Sequence, residues 1–337
     1  MPAARMLKEP VKRTRTALKT LVAHARSALS AHVQRASSDA AVNFFNKRQE
    51  FIGKVLPKNM WGDRIFGQML FFASHRRRPT ESMRFNDVLY RIKTTSEIVD
   101  PLRVFVTDKE FVKLYISAVA GNNYNVPTLG LIRNRADIQS YEYPPVCCIK
   151  PTHLSGHYII RQQGEPIDRS RIDRWCDESH YIYLREANYK TLRPKVIVEE
   201  LLDAQSFIEY YCFCYMGIPK LFFVSVDHAI GKKRILFDAQ WNELSYSLGF
   251  PRSPQKLQKP GNFEEMLRVA HKLSSPFSFV RIDFYSDGCK CYVGEITNCH
   301  ASAMQAFVPA GAEQEASALV FGNMEGAVEA QAMADPL

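Results

Sequence analysis

The chain has 337 residues, 46% of them hydrophobic and 23% charged, a balance that suits a soluble globular protein with a sizeable core. No apolar run approaches the roughly 18–20 residues a membrane span needs, and the polar, basic N-terminus lacks the apolar stretch of a secretory signal. The net charge of +9 is concentrated at the front, where residues 1–35 carry eight Lys and Arg against one acid, Glu9; the rest is nearly balanced, which argues against a nucleic-acid-binding body.

In chain order, residues 14–35 place Leu18, Leu21, Val22, Ala25, Leu29 and Val33 at helical spacing among Arg and Lys, the pattern of a basic amphipathic helix. Three readings stand open: a helix packed on the body, a helix in peripheral contact with a membrane surface, and a cleaved Arg- and Ser-rich transit segment. Arg76-Arg77-Arg78 before Pro79 reads as a solvated loop. VFVTDKEFVKLYISAVAG reads as a strand, a turn at Thr107-Asp108, and a helix capped by Asp108 that ends near Gly121. VPTLGLIR and VCCIK are short apolar strands, and residues 168–189 are polar and helical or looped. VIVEELL, FIEYYCFCYMG and KLFFVSVDHA are strand-rich. FEEMLRVAHKLSS is an amphipathic helix with Phe263, Met266, Leu267, Ala270 and Leu273 on one face. FSFVRIDFY and KCYVGEIT form a hairpin around Asp287-Gly288. The tail from Asn323 is Ala-rich and weakly acidic. Mixed helices and strands with late antiparallel hairpins point to an α+β or α/β fold. The eight cysteines lie largely in strand-like sequence without zinc-knuckle spacing, so they read as reduced thiols of a cytoplasmic protein.

Arg281, Asp283 and Glu295 carry the chemistry of the late hairpin, because buried charges on strands need partners or a metal. A two-residue turn would put Asp283 and Glu295 on opposite faces. A three-residue loop, Asp287 to Cys289, would set Glu295 opposite Arg281, one diagonal step from Asp283. With strands about 5 Å apart and a rise of about 3.3 Å per residue, both carboxylates then reach one cation. A metal site therefore requires an odd-length loop or a bulge; the competing reading is a structural Arg–Glu pair on a surface hairpin. Lys150, at a strand end before Pro-Thr-His-Leu-Ser-Gly-His, is suited to phosphate contact. Adjacent Glu199 and Glu200, after the apolar Val196–Val198, read as a helix start or as acids meeting an adenine amino group and ribose hydroxyls.

The succession DKEFVKLYI, PTLG, CCIKPTHLSG, VIVEELL, EYYCFCYMGIPK, FVRIDFY and GEIT, from about Phe85 to about Phe307, resembles the TupA-like ATP-grasp family, which is associated with teichuronopeptide and other surface-polysaccharide biosynthesis. The resemblance implies an ATP-grasp fold of two α+β subdomains gripping ATP. It divides the chain into a basic helical extension (1–60), an N-terminal substrate region (61–145), the ATP-grasp domain (146–322) and a tail (323–337). It further implies that Lys109 and Lys150 touch ATP phosphates, that Ser155 and Gly156 lie in a flap over them, and that Glu199, Glu200 and Leu202 form the adenine–ribose hinge. Asp283 and Glu295 would hold Mg²⁺, with Thr297 or Asn298 as third ligand. Arg281, with Lys150, would serve catalysis by supporting the transferring phosphoryl group or the intermediate. Two departures stand out: Glu209-Tyr210-Tyr211 where the family usually reads Asp-Tyr-Lys, and a Gly-free Asn298–Ala303 where it is Gly-rich.

The implied reaction is ligation, in which ATP activates a carboxylate, a uronic acid of a surface glycan, and an amine, an amino acid, displaces phosphate. A kinase on the same fold and a non-catalytic nucleotide-binding protein are the alternatives. A nucleic-acid partner is not expected, because the basic arm lacks interleaved aromatic residues.

Overall fold

The structure, a computed structural model, describes residues 52–228 and 231–322. The expected helix at 14–35 and the tail from Asn323 lie outside those residues. A run of helices precedes the strands. Helix α1 (Met60–His75) begins where the Asn59 side chain accepts from the Gly62 N–H at 3.0 Å, and it stops where Arg76 turns left-handed at φ 55°. Helix α2 (Phe85–Thr94) is buried along nearly its whole length.

The stretch expected to be a strand at Val104–Val106 is instead helix α3 (Pro101–Thr107). Asp100 accepts from the N–H groups of Leu102 and Arg103, and Pro101 occupies the first helical position, a start signal that outweighs the β-branched VFV run. Helix α4 (Phe111–Val119) follows, with the Asp108 carboxylate accepting from the Glu110 N–H at 2.9 Å. Arg77 corrects a second expectation. It is tied into the body by pairs to Asp87 at 2.7 Å and Glu313 at 3.0 Å, not left in solvent.

All strand pairing within the sheets is antiparallel, which sets the class as α+β. Strands β1 (Thr128–Ile132), β2 (Cys147–Pro151), β3 (Ile159–Arg161) and β4 (Val196–Glu199) form a sheet in the order β1-β4-β2-β3. Period-two alternation sends Cys147, Ile149, Val196 and Val198 into a core with Ile172 and Trp175, at the ends of helix α5 (Arg169–Trp175) and its interior. Cys148, Lys150 and Glu199 emerge on the other face. Strand β1 joins this sheet although it lies upstream of residue 146. Helix α6 (His180–Leu184) lies between α5 and β4 in sequence.

The larger sheet contains β5 (Ile208–Tyr215), β6 (Ile218–His228), β7 (Gly231–Asp238), β9 (Phe279–Ser286) and β10 (Cys291–Thr297), in the order β10-β9-β5-β6-β7. The short β8 (Ser247–Leu248) pairs with β11 (Phe307–Val308). Helix α7 (Phe263–Ser274) covers one face with Phe263, Met266, Ala270 and Leu273, meeting Cys212, Cys214, Phe222, Ile282 and Phe284. Leu267, placed on that stripe from the sequence, is only partly buried. The opposite face takes α2 and helix α8 (Ala312–Phe321), with Phe85 set edge-on to Phe213, Phe279 and Phe307.

One irregularity positions the acids. The hairpin loop runs from Asp287 to Lys290, an even count that by itself would leave Glu295 on the face away from Asp283. A bulge at Gly294 restores parity: Val293 pairs with Phe284, and Glu295 pairs directly with Asp283. Val293 and Ile296 accordingly both enter the α7 core although three residues apart. Gly294 also admits the Tyr285 ring, because a Cβ there would stand 2.5 Å from its Cε2. Gly294→Val should lower the unfolding free energy by about 1–3 kcal/mol in urea denaturation, with Tyr285→Ala in the same chain restoring part of the loss. Equal stability of Gly294→Val and the parent would contradict the tight packing.

Candidate active site

The two sheets face each other across a cleft of about 550 Å³. One wall supplies Cys148, Lys150 and Ile160, with Gly156, His157 and Tyr158 of the β2–β3 loop above them. The other supplies Glu209, Tyr211, Asp283, Tyr285, Gly294 and Glu295. Lys109 enters from the α3–α4 turn, and Glu200, Leu201 and Leu202 line the connection between the sheets.

The lysines are held by named acceptors. Lys109 Nζ donates to the Leu154 carbonyl at 2.5 Å, and its backbone N–H bonds Thr152 O at 3.2 Å. Burial and the neighbouring Lys150 charge lower the Lys109 pKa, with Glu295 and Glu199 pulling the other way. Lys150 Nζ lies 2.7 Å from one Glu199 oxygen and Lys113 Nζ 2.6 Å from the other. Burial would lower the Lys150 pKa, but Glu199 outweighs it and raises it; the two lysines likewise hold Glu199 below its ordinary value despite burial. Lys113 carries no motif of its own in the sequence, although it lies one helical turn beyond Lys109.

Asp283 and Glu295 differ in their surroundings. Arg281 grips Asp283 bidentately, Nε to Oδ1 and Nη2 to Oδ2, each at 2.6 Å. Burial pushes the Asp283 carboxyl up to about 7, with Glu295 and Glu209 adding to the rise and Arg281 opposing it. Burial also raises Glu295, but Lys109, Arg281 and a hydrogen bond from Thr297 outweigh it and hold Glu295 below the usual carboxylate range. Thr297 Oγ1 lies 3.2 Å from Glu295 Oε1 and accepts from Arg281 at 2.9 Å. Asn298 turns away: its amide accepts from Arg103 at 3.1 Å and donates to Arg103 O and Thr107 Oγ1. Of the two residues left open as a third oxygen donor, Thr297 stands beside the carboxylates and Asn298 does not.

These donors fit a hard divalent cation. Two facing carboxylates and a hydroxyl are all oxygen, and Mg²⁺ is commonly held by one or two carboxylates plus phosphate oxygens. Among the described residues no cluster of three or more His, Cys, Asp and Glu side chains forms a closed protein cage.

Of the other expected residues, Gly156, Glu200 and Leu202 line the cleft. The Ser155 side chain bonds Tyr189, and its carbonyl accepts from His157 Nδ1 at 2.9 Å. Tyr211 donates to Glu209, stacks on Phe223 at 4.2 Å, and lies under the Arg281 guanidinium at 5.0 Å. The Gly-free stretch keeps a left-handed backbone at Ala301, Ser302 and Ala303, with φ of 45°, 57° and 61°. Such residues cost about 1–2 kcal/mol each and persist only where surroundings hold them. Here buried Lys93 donates to Ser302 Oγ at 2.5 Å, and His75 Nε2 donates to Ala303 O at 2.8 Å. Neither partner was legible from the sequence.

Two antiparallel α+β layers closing on lysines on one side and paired acids on the other define an ATP-grasp protein. The chain belongs to the TupA-like ATP-grasp family: the family model "TupA-like ATPgrasp" matches residues 90–319. Among solved structures, the D-alanine-D-alanine ligase of Helicobacter pylori is similar at 14% identity, with 74% of this chain and 69% of that chain covered and a TM-score of 0.36. The D-alanine–D-alanine ligase of Bacillus anthracis complexed with ATP gives 14% identity, 68% and 69% coverage and a TM-score of 0.37. The L-amino acid ligase of Bacillus licheniformis gives 13%, 58%, 43% and 0.34. No curated protein matches. Among the described residues no helix is long and apolar enough to cross a membrane.

Asp283 gives a pH signature. The unfolded carboxyl titrates near 3.9 and the folded one near 7, so the folded state retains a proton that the unfolded state has released. Its contribution to stability therefore falls as pH rises from about 4 to about 7 and then levels. Metal-free Asp283→Asn should lose this component of the slope, on the order of 2–4 kcal/mol between pH 5 and pH 8 by urea denaturation. Identical slopes in the two proteins would show that Asp283 is ionised throughout.

Proposed function

We propose that the protein is an ATP-dependent carboxylate–amine ligase. The observation that carries this reading is the directly opposed Asp283/Glu295 pair, sharing one cleft with Lys109 and Lys150. ATP would lie in the cleft with its base against Ile160, Leu201 and Leu202, near Glu200, and its phosphates toward the two lysines. Glu199, already bonded to Lys113 and Lys150, would hold the lysines rather than read the base through its side chain. Asp283 and Glu295 would hold Mg²⁺ with Thr297 beside them, and the cation would neutralise charge on the β- and γ-phosphates.

The substrate carboxylate oxygen attacks the γ-phosphorus, ADP leaves, and an acylphosphate forms. An amine then attacks the acyl carbon; phosphate leaves, and the amine's surplus proton is lost to solvent. Arg281 supports the oxygen that gains charge in each step. The clamped left-handed backbone of residues 301–303 favours a working site over a scaffold, since it keeps a conformation glycine would adopt freely. The uronic-acid carboxyl of a surface glycan, the amino-acid amine, a cytoplasmic location and peripheral membrane contact through residues 14–35 rest on family resemblance and sequence pattern. So do the boundaries 1–60, 61–145, 146–322 and 323–337.

Incubation with ATP, Mg²⁺ and a panel of uronic acids and amino acids should release ADP only when both partners are present, and Asp283→Asn should lower that rate at least about 10³-fold. ADP release with a hydroxyl acceptor alone would favour a kinase. No release across the panel would favour a nucleotide-binding protein without turnover, a reading to which the Tyr211 substitution lends weight.

A further inference from the structure

Arg281 is central to the proposed chemistry, yet much of what holds it lies outside the cleft. A guanidinium has five N–H donors and no acceptor. Nε and one Nη2 hydrogen go to Asp283, the second Nη2 hydrogen goes to Thr297, and Nη1 meets Nδ1 of His300. Because arginine only donates, Nδ1 presents its lone pair and the ring proton resides on Nε2. Nε2 then donates to Gln305 Oε1 at 2.8 Å. The same Oε1 accepts from Arg234 Nη1 at 2.5 Å, and Arg234 is itself anchored on the Leu248 carbonyl at 2.7 Å. If the Gln305 amide flipped, its NH₂ would face two donors, so its orientation and the histidine tautomer are set together. Gly249 makes room for this arrangement, since a Cβ there would lie 2.6 Å from Gln305. His300 is 4% exposed and packs against the rings of Phe213 and Phe223.

We infer that His300 is a positioning residue for Arg281, supplying through the Arg234–Gln305–His300 relay a neutral acceptor that keeps the guanidinium in place when Asp283 engages a cation. A carboxylate at position 300 would also accept from Arg281, but it would add a negative charge competing for that cation. A neutral imidazole holds the guanidinium without this conflict. Thr297 is the second neutral anchor, accepting from Nη2 at 2.9 Å. The role rests on the ligase reading of Arg281.

The full-length protein labelled with ¹⁵N-histidine should show His300 as the Nε2–H tautomer at neutral pH, a measurement needing no substrate. An Nδ1–H ring or an imidazolium overturns the relay. In the ligation assay, His300→Leu should lower kcat about a hundredfold with KM for ATP changed less than about threefold, as expected for a misplaced catalytic group. His300→Asn offers its side-chain oxygen near the Nδ1 position and should recover at least about tenfold of that loss. Equal impairment of the two variants, or loss confined to KM, overturns the positioning role, as does an unimpaired His300→Leu. Should His300→Leu fail to fold, His300→Asn against Gln305→Leu makes the same comparison, with Asn expected to be the more active. A parent protein that releases no ADP with any substrate pair overturns the ligase reading and the relay's catalytic purpose together, whereas the wrong tautomer overturns the relay alone.

Discussion

Side chains alternate along a strand, so the face on which Glu295 emerges is a matter of counting residues, and here one glycine changes the count. Without the bulge at Gly294, Glu295 would enter the α7 core among Val293 and Ile282, where an unpaired carboxylate costs several kcal/mol. With it, Glu295 and Asp283 stand side by side on the cleft face, and Thr297 joins them two residues on. The same local bend accepts the Tyr285 ring. Everything proposed about the cation and the phosphates depends on that one-residue shift.

Placing two acids together in a buried site creates a charge problem that the protein meets with internal partners. Arg281 occupies both oxygens of Asp283, Thr297 donates to Glu295, and Lys113 and Lys150 share the two oxygens of Glu199. These are the groups a cation and phosphates would engage, so binding Mg-ATP exchanges one set of paired charges for another instead of burying new ones. Such an exchange requires the displaced groups to stay in place. The Lys93 and His75 contacts around residues 302–303 and the His300 relay supply that support from α1, α2 and the β8 region, well away from the cleft in sequence.

What could be read from the sequence follows the range of the interactions. Strands β2, β4, β5, β6, β9 and β10 were legible because alternation and turn residues are local signals. The requirement for a bulge or odd loop also followed from parity, and a glycine inside a strand could have marked Gly294 as the place. The β-branched VFV run favours a strand, but the Asp100-Pro101 helix start prevails over it. The partners of Arg77, Asp87 and Glu313, lie 10 and 236 residues away and leave no local signal. The partners of Lys93 and Arg234 are likewise distant in sequence, and Asn298 turns away from the carboxylates because Arg103 and Thr107 of α3 hold its amide, which no strand pattern reveals.

The opposed carboxylates are tested most directly by diffraction from crystals grown with Mn²⁺ and a non-hydrolysable ATP analogue. Anomalous density between Asp283 and Glu295, with the analogue's phosphates toward Lys109 and Lys150 and at least one Asp283 oxygen released by Arg281, is the expected result. Nucleotide bound elsewhere, or manganese away from this pair while Arg281 still grips both Asp283 oxygens, would contradict it.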